Sequence, residues 1–317
     1  MPYMNRLRGL FLLLVPCLLP LFVSCQSEPE EDVSAPEGQC TVTFSVSNYR
    51  QISFDDLSGS SVTRAVPSDH PSTLAHLIIA VFNAESGQPA CQPIQHDHEN
   101  YQKENQQAAY PKFSVTLPYG RYRVLILGFN GSRKCTITSV SRISWEDNYV
   151  PNTFYYCEDF IFDKNTSLEQ KITLKHAVSG FRVITEDALP AELKKMRFSS
   201  TVGGTELDAV TGLTPQGTGR TSDIVVPADS IGNKGSSFTV YLFLPSEEQV
   251  MGSYTVQALG KNDNVLYKKV FKDVPLRINA LTMWQGKFFE ESADDEEEHV
   301  AGISLYWDTQ WADTLHI

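Results

Sequence analysis

Short strand-like segments recur along most of this chain, and helical periodicity is almost absent. In the first segment, residues 40–46, the apolar residues Val42, Phe44 and Val46 alternate with polar ones, as in a strand with one buried face. Later segments are rich in β-branched and aromatic residues and are bounded by Gly, Pro, Asn and Asp, which favour turns. They cover residues 74–82, 112–117, 121–129, 160–162, 168–174, 178–185, 196–202, 223–226, 238–244, 254–259, 265–270, 280–289 and 303–307. This pattern predicts an all-β fold.

The chain length of 317 residues is sufficient for two such domains. We predict two tandem β-sandwiches of the transthyretin-like, Greek-key kind, over residues 40–177 and residues 178–317. The second includes an acidic run and a terminal strand. Because no long linker separates them, the two sandwiches should abut. Locally, residues 118–120 predict a hairpin turn between their flanking strands, and residues 186–195 predict one or two helical turns.

Residues 1–24 predict a secretory signal peptide, in which Arg6 and Arg8 precede an apolar run that ends at the small residue Ser24. Two prolines make the run too broken to span a bilayer. The position of Cys25 after Ser24 resembles the lipobox of bacterial lipoproteins, which implies cleavage between Ser24 and Cys25 and lipidation of the Cys25 thiol. Stable anchoring needs more than one acyl chain, and a lipoprotein cysteine carries several. An ordinary secretory signal with a chance cysteine is the alternative.

Two acidic runs carry most of the net charge of −12. The first lies within residues 25–39, which we predict to be a solvated linker behind the lipid. It also resembles the signals that export lipoproteins of the Bacteroides group to the outer leaflet. The second run spans residues 290–298. Outside these runs and the signal peptide the net charge is about −3 and no basic stripe is present, so nucleic-acid partners are disfavoured.

Four cysteines follow the predicted lipidation site: Cys40, Cys91, Cys135 and Cys157. An even number of cysteines in an exported protein favours two disulfides, and three pairings are open. The CxxC spacing of a zinc or thioredoxin-like site does not occur. All four lie in the first half of the chain, so disulfides would stabilise the first sandwich.

The sequence carries no enzyme signature. Residues 96–99, His-Asp-His-Glu, could place two histidines on one strand face, but a solvated loop is the preferred interpretation because a third ligand cannot be named. The Gly-x-Ser-x-Gly motif is absent, and Gly128 to Gly131 lack the following helix that a phosphate loop requires. Four tryptophans could stack on sugars, although core or groove positions are favoured for them: Trp145, Trp284, Trp307 and Trp311. We therefore predict no catalytic residue, metal, cofactor or small-molecule substrate.

Four stretches together resemble the FimB-type fimbrial anchor family, fimbrillin-like lipoproteins of the type V pili of Bacteroides-group bacteria. They are residues 77–87, residues 113–124 with their Leu-Pro-x-Gly-x-Tyr turn, residues 174–181, and residues 274–289, which are the most specific. The resemblance spans about residues 40 to 290. It implies an outer-membrane lipoprotein that acts as a fimbrial anchor or accessory subunit. Its partners would be the membrane, through the lipid, and other fimbrial subunits, joined by β-strand complementation.

The same resemblance draws attention to two further places. The Arg64–Ala65 bond resembles the cleavage site at which polymerising stalk subunits release their first strand, whereas anchor-like members keep that strand. An uncut, unremarkable arginine is the interpretation that we favour. The terminal strand with Ile303, Leu305 and Trp307 could be donated to a neighbouring subunit or could complete its own sandwich. Two other functions stay open, a surface glycan-binding lipoprotein and a fimbrial tip adhesin.

Overall fold

The computed structural model describes residues 38–48, 74–100, 112–166, 168–290 and 303–307. Eighteen β-strands lie in these ranges. Those of the first half are β1 (Gln39–Asn48), β2 (His76–Asn83), β3 (Ile94–Asp97), β4 (Lys112–Pro118), β5 (Gly120–Asn130), β6 (Cys135–Ser139), β7 (Arg142–Trp145), β8 (Asn152–Phe162), β9 (Glu169–Thr173) and β10 (Lys175–His176). Those of the second half are β11 (Ser179–Thr185), β12 (Lys195–Ser200), β13 (Arg220–Val225), β14 (Ser236–Leu242), β15 (Val250–Leu259), β16 (Val265–Leu276), β17 (Ala280–Gly286) and β18 (Ile303–Trp307).

The first half forms a β-sandwich of two sheets. One sheet has the strand order β4-β1-β9, and the other has the order β10-β8-β5-β2-β3. Alternate residues of β4 are exposed and buried along its whole length, as expected for a strand with one face on a core. Phe44 and Val115 from the smaller sheet share that core with Ile79 and Val124 from the larger one.

The second half forms another sandwich, with strand orders β14-β11-β17-β18 and β13-β12-β15-β16. Phe181 on β11 stacks on Tyr254 of β15, with ring centroids 4.2 Å apart, and Phe198 on β12 packs edge-on against Phe181. Both sheets therefore contribute to one apolar core. The predicted all-β class with two sandwiches is confirmed.

The two sandwiches repeat one pairing scheme. The first strand of each, β1 or β11, pairs antiparallel with one neighbour, β4 or β14. On its other side it pairs parallel with a later strand, β9 or β17. In the second sandwich, β18 then adds antiparallel to the free side of β17. The first strand is thus central in each half.

The two halves also share a core of their own. Phe129 and Trp145 from the first half lie edge to face, with ring centroids 5.5 Å apart, and Trp145 stacks on Phe243 from the second half at 5.7 Å. Backbone hydrogen bonds join Ile143 of β7 and Leu207 in both directions, at 3.0 and 2.8 Å. The sandwiches therefore abut. Residues 36–317 form one compact unit, so the predicted domain limits stay predictions.

The predicted hairpin at residues 118–120 is wrong. β4 pairs with β1, whereas β5 pairs with β2 and β8, so this turn carries the chain from one sheet to the other. Leu117 and Tyr122, on either side of the turn, both enter the core between the sheets. The Tyr122 hydroxyl donates to the carbonyl oxygen of Pro118 at 3.0 Å and closes the corner. Burial of both side chains decides the path of the chain here.

The predicted helical turns in residues 186–195 do not form a helix. This described segment has bends at 186–187 and one hydrogen-bonded turn, in which the Leu193 amide donates to the carbonyl oxygen of Pro190 at 3.1 Å, and Lys195 already begins β12. Its apolar residues Leu189 and Leu193 are buried, as a helix would also allow. However, the Leu189 amide donates to the carbonyl of Asn233 at 3.1 Å, outside the segment. Apart from the single turn at Pro190 to Leu193, a hydrogen bond to a distant residue takes the place of helical bonds in this segment.

Candidate functional site

Strand β1 occupies the centre of the three-stranded sheet. It pairs antiparallel with β4 from Gln39 opposite Pro118 to Ser45 opposite Lys112, and parallel with β9 on its other side. The Thr43 amide donates to the carbonyl oxygen of Leu168 at 2.8 Å. The strand therefore has a backbone ladder on both edges.

The two faces of β1 have different surroundings, one in the apolar core and the other in solvent. Val42 and Phe44 are completely buried, and the Phe44 ring lies edge-on to Phe160 at 5.4 Å. On the solvent face, the hydroxyls of Thr41 and Thr116 lie 2.7 Å apart in a cross-strand hydrogen bond. A segment that took the place of β1 would need apolar side chains at every second position and polar ones between them.

The terminal strand β18 lies at the edge of the second sandwich. Its backbone pairs antiparallel with β17, from Ala280 opposite Trp307 to Trp284 opposite Ile303. In the described part of that sheet, β17 is its single neighbour. The sequence left two arrangements open for this strand, donation to a neighbouring subunit and completion of its own sandwich. The structure describes it paired within its own sandwich. Donation of Ile303, Leu305 and Trp307 to another subunit stays a proposal.

The predicted processing sites Ser24, Cys25, Arg64 and Ala65 lie outside the described residues. Signal cleavage, lipidation and proteolysis at these positions stay predictions. Within the described ranges, no helix has the length and apolar character needed to cross a membrane.

The four candidate disulfide cysteines are free thiols in this structure. Cys40 is buried on β1, and the other three are partly buried. Burial raises the pKa of the Cys135 thiol to about 12 and that of Cys157 to about 11, so neither is a thiolate nucleophile at neutral pH. The disulfides and their pairing stay predictions.

Residues 96–99 lie partly in a strand, not in a solvated loop, because His96 and Asp97 belong to β3. Asp97 Oδ1 lies 2.6 Å from Nδ1 of His76, whose Nε2 is 2.7 Å from the carbonyl oxygen of Gly131. The pKa of the Asp97 carboxyl is lowered mainly by the hydrogen bond from Gln95 and to a smaller extent by the hydrogen bond with His76. This cluster ties β2 to β3. Among the described residues, no three or more His, Cys, Asp or Glu side chains are placed to hold a metal ion.

A buried histidine lies where the two halves meet. His176 of β10 has its Nε2 2.5 Å from Oδ1 of Asn152 on β8 and its Nδ1 2.9 Å from Oδ1 of Asn279, just before β17. Its ring also stacks on Phe154, with centroids 4.4 Å apart. Burial lowers the pKa of His176 to about 4, so the ring is neutral at physiological pH. This contact holds the second sandwich against the first.

A cavity of about 370 Å³ opens where edge strands β13 and β14 meet, beside residues of the first half. Arg220 lines this cavity, which we name the Arg220 cavity. Its Nη1 donates to the carbonyl oxygen of Tyr241 at 3.1 Å, and its Nη2 donates to the Ser222 hydroxyl. Sequence analysis did not identify this residue. One of its partners, Tyr241, is distant in sequence, and the other, Ser222, lies in strand β13, whose sequence carries no motif.

Comparison with known proteins gives a family but little more. The sequence profile of the "Family of unknown function (DUF6562)" matches residues 34–314. No match was found among curated proteins.

Three solved structures show weak similarity to this chain. A candidate adhesin from Bacteroides ovatus has 10% identity and a TM-score of 0.46, covering 73% of this chain and 77% of that one. A candidate cell adhesion protein from Parabacteroides distasonis has 13% identity and a TM-score of 0.41, covering 84% and 96%. The tip fimbrial protein Mfa3 from Porphyromonas gingivalis, with C-terminal truncation, has 8% identity and a TM-score of 0.37, covering 84% and 98%. Similarities this weak transfer no function. The family profile covers nearly the whole chain, and the protein belongs to the Family of unknown function (DUF6562).

Proposed function

We propose that this protein is a lipid-anchored outer-membrane subunit of a fimbria, an anchor or accessory subunit that joins other subunits by β-strand complementation. The observation that carries the proposal is the placement of its terminal strand. β18 is an edge strand with one neighbour in the described sheet, and a long acidic segment separates it from β17 in sequence. Such a strand can leave without disturbing the centre of the sandwich.

Backbone pairing supplies the driving force for donation. At its own edge β18 forms one ladder, with β17. In a groove between two strands, such as the one that β1 fills between β4 and β9, a strand forms two ladders. A donated strand would therefore gain main-chain hydrogen bonds and cover apolar surface on its acceptor.

The sequence of β18 has the alternation that such a groove requires. Ile303, Leu305 and Trp307 occupy every second position, with Ser304 and Tyr306 between them. The buried positions of β1 have the same period of two. In this account the protein keeps its own β1 and acts as the donor, because Arg64 stays uncut, as the resemblance to anchor-like members implies.

The lipid would determine where the protein works. Residues 26–38 of the acidic linker separate Cys25 from the start of β1 at Gln39. A linker of this length reaches at most roughly 50 Å when fully extended, so the sandwiches would stay close to the membrane surface. Anchoring at the base of a fimbria requires such a tether.

Photo-crosslinking tests strand donation in the cell that makes the protein. Ser304→p-benzoylphenylalanine places the photoreactive group on β18, and Ser86→p-benzoylphenylalanine, in the exposed turn after β2, is the matched control. We expect irradiation to link position 304, but not position 86, to a second subunit identified by mass spectrometry. Products of monomer size alone at position 304 would refute strand donation.

A further inference from the structure

The Arg220 cavity carries an uncompensated positive charge. Two arginines at its wall have carboxylate partners. Nη1 of Arg133 lies 3.0 Å from Asp147, and Nε of Arg197 lies 2.7 Å from Asp223. The described residues provide no carboxylate partner for Arg220, whose named acceptors are the Tyr241 carbonyl and the Ser222 hydroxyl. The charged residues that line the cavity therefore sum to one positive charge.

The environment of Arg220 favours an anion. Its Nε is fully buried without a hydrogen-bond acceptor among the described residues, as is the hydroxyl of Tyr254. Burial lowers the pKa of the Arg220 guanidinium to about 10, because desolvation disfavours the charged form. Charged side chains are rarely buried without a partner, because desolvation is costly. An anion in the cavity would offset part of that cost by pairing with the guanidinium.

The remaining wall has the features of a sugar site. Tyr149, from the first half, has 36% of its surface exposed and offers an aromatic ring at the cavity. Tyr241, Thr221 and Thr239 also line it, although the Thr239 hydroxyl already accepts from Nε of Arg182 at 2.8 Å and the Thr221 hydroxyl lies 2.9 Å from that of Ser199. Ligand pockets usually combine aromatic surface with a few polar groups and have volumes of roughly 300 to 1,000 Å³. At about 370 Å³ the cavity is near the lower limit, which suits one or two sugar rings.

We propose that the Arg220 cavity binds an acidic sugar whose single carboxylate pairs with Arg220 while a sugar ring packs on Tyr149. A guanidinium and a carboxylate form charge-assisted hydrogen bonds of matching planar geometry. One carboxylate neutralises the one excess charge at the wall. This site is independent of strand donation, because it uses β13, β14 and the segment before β8 and involves neither β1 nor β18. A protein with this site would recognise acidic carbohydrate as well as fimbrial subunits.

Isothermal titration calorimetry of the purified mature protein tests the proposal, with D-glucuronate as the probe. D-glucose has a similar ring without the carboxylate, and acetate has the carboxylate without the ring. We expect saturable binding of glucuronate, with glucose and acetate each weaker by at least about tenfold. No saturable glucuronate binding would overturn the proposal. Acetate binding as tight as that of glucuronate would overturn the sugar assignment.

Variants identify the cavity as the site. Arg220→Gln should weaken glucuronate binding by at least about tenfold, whereas Arg142→Gln should leave it unchanged. Arg142 is the matched control, an exposed arginine that pairs with Glu206 at 3.3 Å and does not line the cavity. Tyr149→Ala changes a residue with about a third of its surface exposed and leaves the buried charge of Arg220 in place. It should weaken glucuronate binding about fivefold and leave acetate binding unchanged. Wild-type affinity in the Arg220 and Tyr149 variants would contradict the assignment.

Discussion

Single buried side chains fix the position of β1. Phe44 is completely buried and contacts Phe160 edge-on and Phe162 at a centroid distance of 6.5 Å. Thr41, on the same strand, faces solvent and makes one hydroxyl contact with Thr116. Substitutions at these two residues therefore distinguish the contribution of core packing to stability from that of hydrogen bonding on the exposed face of the same strand.

Phe44→Ala should destabilise the protein by about 3 to 5 kcal/mol, because it removes apolar contacts and leaves a cavity. Thr41→Ala, the matched control, should cost at most about 1 kcal/mol, the value of one exposed hydrogen bond. Urea denaturation followed by tryptophan fluorescence measures both free energies of unfolding. Equal losses in the two variants would show that β1 is not anchored through its inner face.

His176 makes the stability of the protein depend on pH. Burial lowers its pKa in the folded protein to about 4, while an unfolded histidine has a pKa near 6.5. Between these values the unfolded state binds more protons, so the free energy of unfolding falls as pH decreases from 6.5 to 4. The slope from this residue approaches about 1.4 kcal/mol per pH unit. Carboxyls with lowered pKa, such as Asp223 at about 2, contribute stability that is lost below this window, as pH falls from about 4 through 2.

His176→Gln should therefore be less sensitive to acid than the wild type between pH 6.5 and pH 5. Glutamine is neutral throughout this range and can still form hydrogen bonds with an asparagine side chain. Urea midpoints at pH 7, 6 and 5 give the slopes. An equal slope in both proteins would show that the pKa of His176 is the same in the folded and unfolded states.

Strands differ in how much of the fold depends on them. β1 has ladders on both sides and a buried face, whereas β18 pairs with β17 at the edge of its sheet. Thr43→Pro removes the amide that donates to the Leu168 carbonyl oxygen, a hydrogen bond of the central strand, and should cost about 1 to 3 kcal/mol. Ending the chain after residue 302 should lower the melting temperature less than Thr43→Pro does, because, among the described strands, it removes only the edge strand β18. Thermal unfolding followed by circular dichroism gives the loss of melting temperature in each variant. A larger loss in the shortened chain than in Thr43→Pro would contradict an exchangeable β18.

Most of the strands could be predicted from the sequence, because alternating apolar residues indicate a strand with one buried face. The predicted segment of residues 303–307 coincides with β18, and the predicted residues 40–46 lie within β1. The short strands β3, β6, β7 and β10 carry too few apolar residues to show periodicity. β8 begins at Asn152, earlier than its clear apolar stretch, because pairing with β5 extends it. Strand pairing, in contrast, depends on contacts between residues that are distant in sequence. For this reason the hairpin predicted at residues 118–120 was wrong.

The candidate sites were less predictable than the strands. The alternation in the terminal strand is a local signal and could be read directly. The environment of Arg220 is set by Tyr241 on another sheet and Tyr149 in the other half, and no local pattern records such proximity. The role of His176 likewise depends on Asn279, far along the chain.

The whole molecule should unfold as one unit. Trp145 lies between Phe129 and Phe243, and the apolar cluster around it contains residues from both halves. Neither half can unfold without exposing that shared core. Differential scanning calorimetry should show one transition whose calorimetric and van't Hoff enthalpies agree. Two resolved transitions would show that the shared core does not couple the sandwiches.

The proposed function makes this protein a strand donor on a lipid tether, and its mature N-terminus tests both the tether and the intact first strand. The measurement is mass spectrometry of the N-terminal peptide of the protein purified from membranes. We predict a peptide that begins at Cys25 and carries acyl chains on that residue. An unmodified N-terminus would contradict lipid anchoring. A chain that begins at Ala65 would have lost β1 and would be a polymerising subunit in place of an anchor.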